Sequence, residues 1–211
     1  NLIVERCEIR DNATPGSFSG YCWHGSSVSA RPGDNDGGGA YFKDSKVNLK
    51  DCTFARNRCG RGQAGVFAFS NCVPGDGAVG GAGGAIAAVY SVLEVSGCAF
   101  LENRAGAGGA GGKHAMDAYL VGSNGKGGDG GGLFVDGGSC VLRSCRFVEN
   151  QTGAGGSNAS AVPTADPLDN SSPGAGGGDG GAIAIRAAAV TIINCELVGN
   201  STGNGGRGVQ R

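Results

Sequence analysis

Large apolar residues return at fixed distances from five cysteines, Cys7, Cys52, Cys98, Cys145 and Cys195. Two residues after each stands Ile9, Phe54, Phe100, Phe147 or Leu197. Three before stand Val4, Leu49, Val95, Leu142 and Ile192, and five before stand Leu2, Val47, Leu93, Cys140 and Val190. Five after comes a polar residue that does not vary: Asn12, Asn57, Asn103, Asn150 and Asn200. The cysteines are 45, 46, 47 and 50 residues apart, a period of the size seen in solenoids, propellers and arrays. Steps of two are those of a strand. The step from three before the cysteine to the cysteine itself is odd, so a bend or bulge falls between them if both point inward.

A second block precedes four of the cysteines: Gly38-Gly39-Ala40, Gly83-Gly84-Ala85-Ile86, Gly131-Gly132-Leu133-Phe134 and Gly180-Gly181-Ala182-Ile183. Apolar residues then alternate, which again predicts strand. Helical repeats need long stretches of 3.6 periodicity, and glycine disfavours helix by about 1 kcal/mol per residue. Each repeat therefore predicts two short strands, a turn and a glycine-rich excursion. Val66–Phe69 and Met116–Val121 are candidates for a third strand. A propeller blade needs four antiparallel strands with hairpin turns, so the coil of a parallel β-helix fits better. The prediction is an all-β, right-handed parallel β-helix of about five coils with long glycine-rich loops. It forms one domain over 1–211, with units near 1–35, 36–80, 81–127, 128–176 and 177–211. Coils stack about 4.8 Å apart, so the repeated residues predict a cysteine ladder, an Ile/Phe/Leu ladder that includes Phe54, Phe100 and Phe147, and an asparagine ladder.

Composition alone leaves disorder open, because 45 of 211 residues are glycine and only 17% are charged; the apolar pattern decides for a folded chain. The net charge of −1 comes with no basic run, which argues against nucleic acid as a partner. No apolar run reaches the roughly 20 residues of a membrane helix. The first ten residues read as folded structure, so the chain is expected to be a mature product or a piece of something longer.

The pairing of Gly-Gly-Ala-Ile with Phe-x-x-Asn resembles the repeat of the chlamydial polymorphic outer membrane proteins, a pectin-lyase-like β-helical family. Phe-x-x-Asn is intact at Phe54–Asn57, Phe100–Asn103 and Phe147–Asn150, and altered at Ile9–Asn12 and Leu197–Asn200. Gly-Gly-Ala-Ile is intact at Gly83–Ile86 and Gly180–Ile183, and altered at Gly38–Tyr41 and Gly131–Phe134. The resemblance implies a β-helical passenger domain acting as an adhesin. That family's membrane barrel has no counterpart in the sequence.

The five ladder cysteines and Cys140 read as packing residues, mostly free, because parallel side chains make disulfide geometry awkward. Of Cys22, Cys59 and Cys72 in the excursions, Cys59–Cys72 is the candidate disulfide. Asn-x-Ser/Thr sequons occur at Asn12, Asn150, Asn158, Asn170 and Asn200. Asparagines packed inward in a ladder cannot carry a glycan, so Asn158 and Asn170 are the glycosylation candidates. Asp36, Asp129 and Asp179 recur before the Gly-Gly blocks, with Asp34 and Asp76 nearby. They read first as solvated turn residues and second as Ca²⁺ ligands; no cofactor is expected. The outward charges, Lys43, Lys46, Lys50, Arg56, Glu94, Glu102, Arg143 and Glu149, are scattered and of mixed sign, unlike the paired carboxylates of glycoside chemistry. Tyr21, Trp23 and His24 cluster in the first excursion; exposed aromatics there can bind sugar or protein, but more often such a cluster folds back onto its own loop. Together these predict a non-catalytic extracellular surface protein. It is adhesin-like or the subunit of a fibre built by end-to-end stacking, with itself, a host or surface protein, or a glycan as partner. A carbohydrate-active β-helix, a polysaccharide lyase or hydrolase, is the alternative.

Overall fold

The computed structural model describes residues 1–16, 35–65, 68, 74–113, 121–157 and 173–207. They form twelve strands and, among the described residues, no helix. Two parallel sheets hold them. In the first, Leu2–Glu5 (β1), Lys46–Lys50 (β4), Ile86–Ser96 (β6), Leu133–Arg143 (β8) and Ile183–Arg186 (β10) lie in that order, with Ala40–Lys43 (β3) pairing β6 and Ala189–Ile193 (β11) pairing β8. In the second, Glu8–Arg10 (β2), Thr53–Ala55 (β5), Ala99–Leu101 (β7), Arg146–Val148 (β9) and Glu196–Val198 (β12) stack in repeat order. Registers match residues at the same place in successive repeats, such as Val47 with Leu93 with Cys140 with Val190.

The bend required by the odd step sits at a single residue. Arg6, Asp51, Gly97, Ser144 and Asn194, each just before a ladder cysteine, have φ of 53°, 52°, 62°, 51° and 50°. A second left-handed column, four residues after the cysteines, joins Asp11, Arg56, Glu102, Glu149 and Gly199. Such residues cost about 1–3 kcal/mol each when not glycine. Stacking keeps their backbone satisfied, as where Asp51 N–H donates to Ser96 O at 2.9 Å and Ser144 N–H to Ile193 O at 2.9 Å. Each repeat thus carries a Gly-Gly-block segment and a pre-cysteine segment in one sheet, and a three-residue strand after the cysteine in the other. The sequence divides into fewer strands because the left-handed residue leaves no side-chain signature. Of the candidate third strands, Ala68 and Val121 are described as isolated residues, and the rest of both segments lies outside the described residues.

The core lies between the sheets. Phe54, Phe100 and Phe147 are fully buried and stack ring on ring, with centroids 5.2 and 4.4 Å apart and planes within 7° and 1° of parallel. Val47, Leu49, Leu93, Val95, Leu142 and three ladder cysteines pack with them, along with Ile86, Leu133 and Val135.

The glycine-rich segments are ordered by a three-residue hydrogen-bond period. The N–H groups of Cys59, Gly62 and Gly65 donate to the carbonyls of Arg104, Ala107 and Ala110 in the next repeat. Those of Gly106, Gly109 and Gly112 donate to Gly81, Ala78 and Gly75, and those of Gly122, Gly125 and Gly128 to Gly112, Gly109 and Gly106. None of these glycines has positive φ. Threefold periodicity with negative φ and only external hydrogen bonds is the signature of polyproline II-type chains. Each repeat sends one such segment outward (58–65, 104–113, 151–157, 201–207) and brings one back (75–82, 122–129, 173–179), and these form two layers.

Of every three residues, one faces the neighbour in its own layer, one faces the other layer and one faces out. A Cβ on Gly109 stands 1.7 Å from Gln63 O, and one on Gly108 stands 2.0 Å from Gly125 O. Both positions exclude any side chain, whereas Ala107 and Ala110 on either side of them face away.

Candidate functional site

The repeated polar residues converge on the columns between the sheets and the glycine layers. Asn57, Asn103 and Asn150 are fully buried. Each Nδ2 donates twice, once to the asparagine Oδ1 of the next repeat and once to a carbonyl of the preceding one. For Asn103 the partners are Asn150 Oδ1 and Phe54 O, both at 2.9 Å. Each Oδ1 also accepts the backbone N–H of the preceding asparagine, as Asn150 Oδ1 does from Asn103 N at 3.1 Å. Asn12 and Asn200 extend the column at its two ends. The amide-to-amide bonds all run in one direction, from each asparagine to the next, so the column is polar.

The cysteines form a second column. In all five repeats the thiol donates to the carbonyl two residues earlier, across the left-handed corner: Cys7 to Glu5 O, Cys52 to Lys50 O, Cys98 to Ser96 O, Cys145 to Arg143 O and Cys195 to Ile193 O, at 3.2–3.4 Å. Cys52 N–H and Cys145 N–H donate to the sulfurs of Cys98 and Cys195 at 3.4 Å. Burial pushes the thiols of Cys98 and Cys140 up to about 12 and raises that of Cys145. These are protonated, unreactive thiols.

The Cys59–Cys72 disulfide is corrected: Cys59 is a buried free thiol, its sulfur 3.2 Å from both Ala82 O and Gly83 O. Cys72 lies outside the described residues. The reason is the position Cys59 occupies, seven residues after the ladder cysteine, where other repeats place Thr14 and Thr152. Thr14 Oγ1 donates to Asn35 O at 2.9 Å and accepts from Gly60 N–H at 2.7 Å; Thr152 Oγ1 donates to Gly178 O at 2.9 Å and accepts from Gly203 N–H at 2.6 Å. Cys59 uses its thiol as the donor to the return segment in place of the hydroxyl, and burial holds it at about 12. The same geometry accounts for the sequons at Asn12 and Asn150. Their asparagine belongs to the ladder and their threonine ties the outgoing segment to the return segment. Asn158, Asn170, Cys22, Tyr21, Trp23, His24 and Asp34 lie outside the described residues.

The recurring aspartates bridge repeats. Asp36 Oδ1 accepts from Ala82 N–H at 2.6 Å, Asp129 Oδ1 from Asp179 N–H at 2.7 Å, and Asp76 Oδ1 from Ser123 N–H at 2.7 Å. Lys126 Nζ sits between Asp129 and Asp179, at 2.9 and 2.6 Å. Other carboxylates are tied across repeats as well. Arg56 holds both oxygens of Asp11 at 2.8 and 2.9 Å and keeps that carboxyl below its usual range. Arg186 bonds one oxygen of Asp136 and likewise keeps that carboxyl below its usual range, and Arg146 pairs with Glu196 at 2.9 Å. Sequence reasoning missed the threonine and aspartate bridges because each appears in only some repeats. Their signal is an offset from the ladder cysteine: seven after for Thr14 and Thr152, sixteen before for Asp36 and Asp129, with Asp76 standing apart at twenty-two before. No family model matches the chain, and no curated protein or solved structure matches it.

Proposed function

We propose that the chain is a right-handed parallel β-helix serving as a non-catalytic extracellular surface module, adhesin-like or the structural subunit of a fibre. One observation carries the reading: equivalent residues of successive repeats pair in register, and the ladder and bridging polar side chains among the described residues bond from repeat to repeat. Parallel crossovers are right-handed in about 98% of cases, which supports the hand. The resemblance to the polymorphic outer membrane repeat supports an adhesin-like role. Among the described residues no three His, Cys, Asp or Glu side chains are grouped to hold a metal ion. Self-association on this reading is head to tail, since the one-way asparagine column is continued only by a copy facing the same way.

Electron microscopy of the native material tests the proposal. Stiff rods or fibres of constant width are expected; compact isotropic particles contradict it. Incubation with acidic polysaccharides is expected to release no unsaturated or reducing ends. Turnover that disappears when a single outward carboxylate is replaced contradicts the non-catalytic reading.

A further inference from the structure

The two glycine layers differ in charge. On the outgoing layer, the outward residue of each threefold turn is Arg58, Arg61, Arg104, Lys113, Arg207 or an uncharged Ala, Gln, Ser or Asn, with no carboxylate among the described residues. On the return layer the outward residues include Asp76, Asp129 and Asp179, with Lys126 between the last two. A chain of net charge −1 has therefore collected cations on one face. They are far apart in sequence, which is why no basic run is visible there.

Three of these arginines lie close together. Arg58 and Arg104 pair directly on neighbouring repeats, about 4.8 Å apart along the stack. Arg61 follows Arg58 by one threefold turn, about 9 Å. All three are exposed, and none forms an ion pair among the described residues. Asp11 feels the field of Arg58 but gives both oxygens to Arg56. Like charges directly opposite one another on paired chains are destabilising, so this arrangement favours an anion that bridges them. The guanidinium fork suits bidentate oxyanions.

We infer that the outward face of the outgoing glycine layer, centred on Arg58, Arg61 and Arg104, binds a sulfated polysaccharide. The face carries no aromatic among its described outward residues, so it lacks the stacking platforms that single-stranded nucleic acid uses. Three guanidinium groups within one small patch match the charge density of a chain with sulfates on most sugars better than one carboxylate per sugar. The inference goes beyond the surface-module reading and does not depend on how the chain assembles.

Binding of the purified 211-residue chain to dextran sulfate beads, with unsulfated dextran beads as reference, tests it. Retention on dextran sulfate alone is expected, reversed by salt. The variant R58Q/R61Q/R104Q is expected to bind at least about tenfold more weakly. The variant K43Q/K46Q/K50Q, which removes the same charge from the first sheet, is expected to bind as the natural sequence does. Should the triple arginine variant lose its cooperative melt, the single variants decide, each expected to lower the salt slope by about one. No retention, retention equal on dextran, or retention indifferent to the arginines overturns the inference. Binding to polygalacturonate or single-stranded DNA as tight as to dextran sulfate also overturns it, by assigning the face to another polyanion. Failure here leaves the rods expected in micrographs untouched, whereas polysaccharide turnover counts against the non-catalytic reading alone.

Discussion

The asparagine column shows how a single residue type becomes obligatory. Its three inner members, Asn57, Asn103 and Asn150, sit where no water reaches, and each Nδ2 must find two acceptors and each Oδ1 its donors at once. Asn103→Leu removes the partner of Asn57 on one side and of Asn150 on the other, and leaves Phe54 O without its donor. A buried polar group left unpaired costs about 1–3 kcal/mol. A loss of at least about 3 kcal/mol is expected, measured by urea unfolding; a change below about 1 kcal/mol would show that water replaces the column.

The buried thiols predict a pH response. Cys59, Cys98 and Cys140 have folded-state values raised from 9.0 to about 12. A raised value means that the folded state holds its proton while the unfolded state gives it up. Stability from these groups is therefore complete below about pH 9 and falls as pH rises from there through 12. Thermal melts should be level from pH 7 to 8.5 and drop progressively above 9. Replacing the three with alanine should flatten that drop while lowering the melt at neutral pH.

At the scale of the element, the strands were legible and the glycine layers were not. Periodic Val, Leu and Phe mark strands because a half-buried pleat demands alternation. The bend before each cysteine was legible from the odd step, but not the residue that makes it, because Arg6, Asp51, Ser144 and Asn194 share a backbone conformation and no chemistry. The excursions read as loops because glycine is usually punctuation. The signal was present as a period of three, Gly-Ala-Gly at 106–108 and again at 109–111. It means that two positions in three have a neighbouring backbone where a side chain would go. Gly109→Ala should therefore destabilise by about 1–3 kcal/mol or more, while Ala107→Ser, which faces out, should change stability by less than about 0.5 kcal/mol. Equal effects in thermal unfolding would contradict the layer packing. Cys59→Thr is a companion test. Thr14 and Thr152 make the same bridge, so the substitution should be tolerated, whereas Cys59→Val, similar in size and without a donor, should lower the melting temperature.

For the whole molecule, the stack sets what can touch what. Residues about 45 to 50 apart in sequence are neighbours, so the ion pairs Arg56–Asp11, Arg146–Glu196 and Arg186–Asp136 join repeats rather than turns, and the basic face gathers arginines from separate repeats. The sequence could reveal the columns, because every repeat contributes to them. It could not reveal the faces, because a face depends on which of three residues points outward. The central claim is that equivalent residues stand one above another through the chain. It is tested most directly by paired spin labels on the outward column Glu5, Lys50, Ser96, Arg143 and Ile193, two residues before each ladder cysteine. With about 4.8 Å per repeat, labels at Glu5 and Ile193 should be separated by about 19 Å along the stack, and each repeat skipped should shorten the distance by the same step. A Glu5–Ile193 separation beyond about 30 Å, or distances that do not change in equal steps of about 4.8 Å, would contradict it.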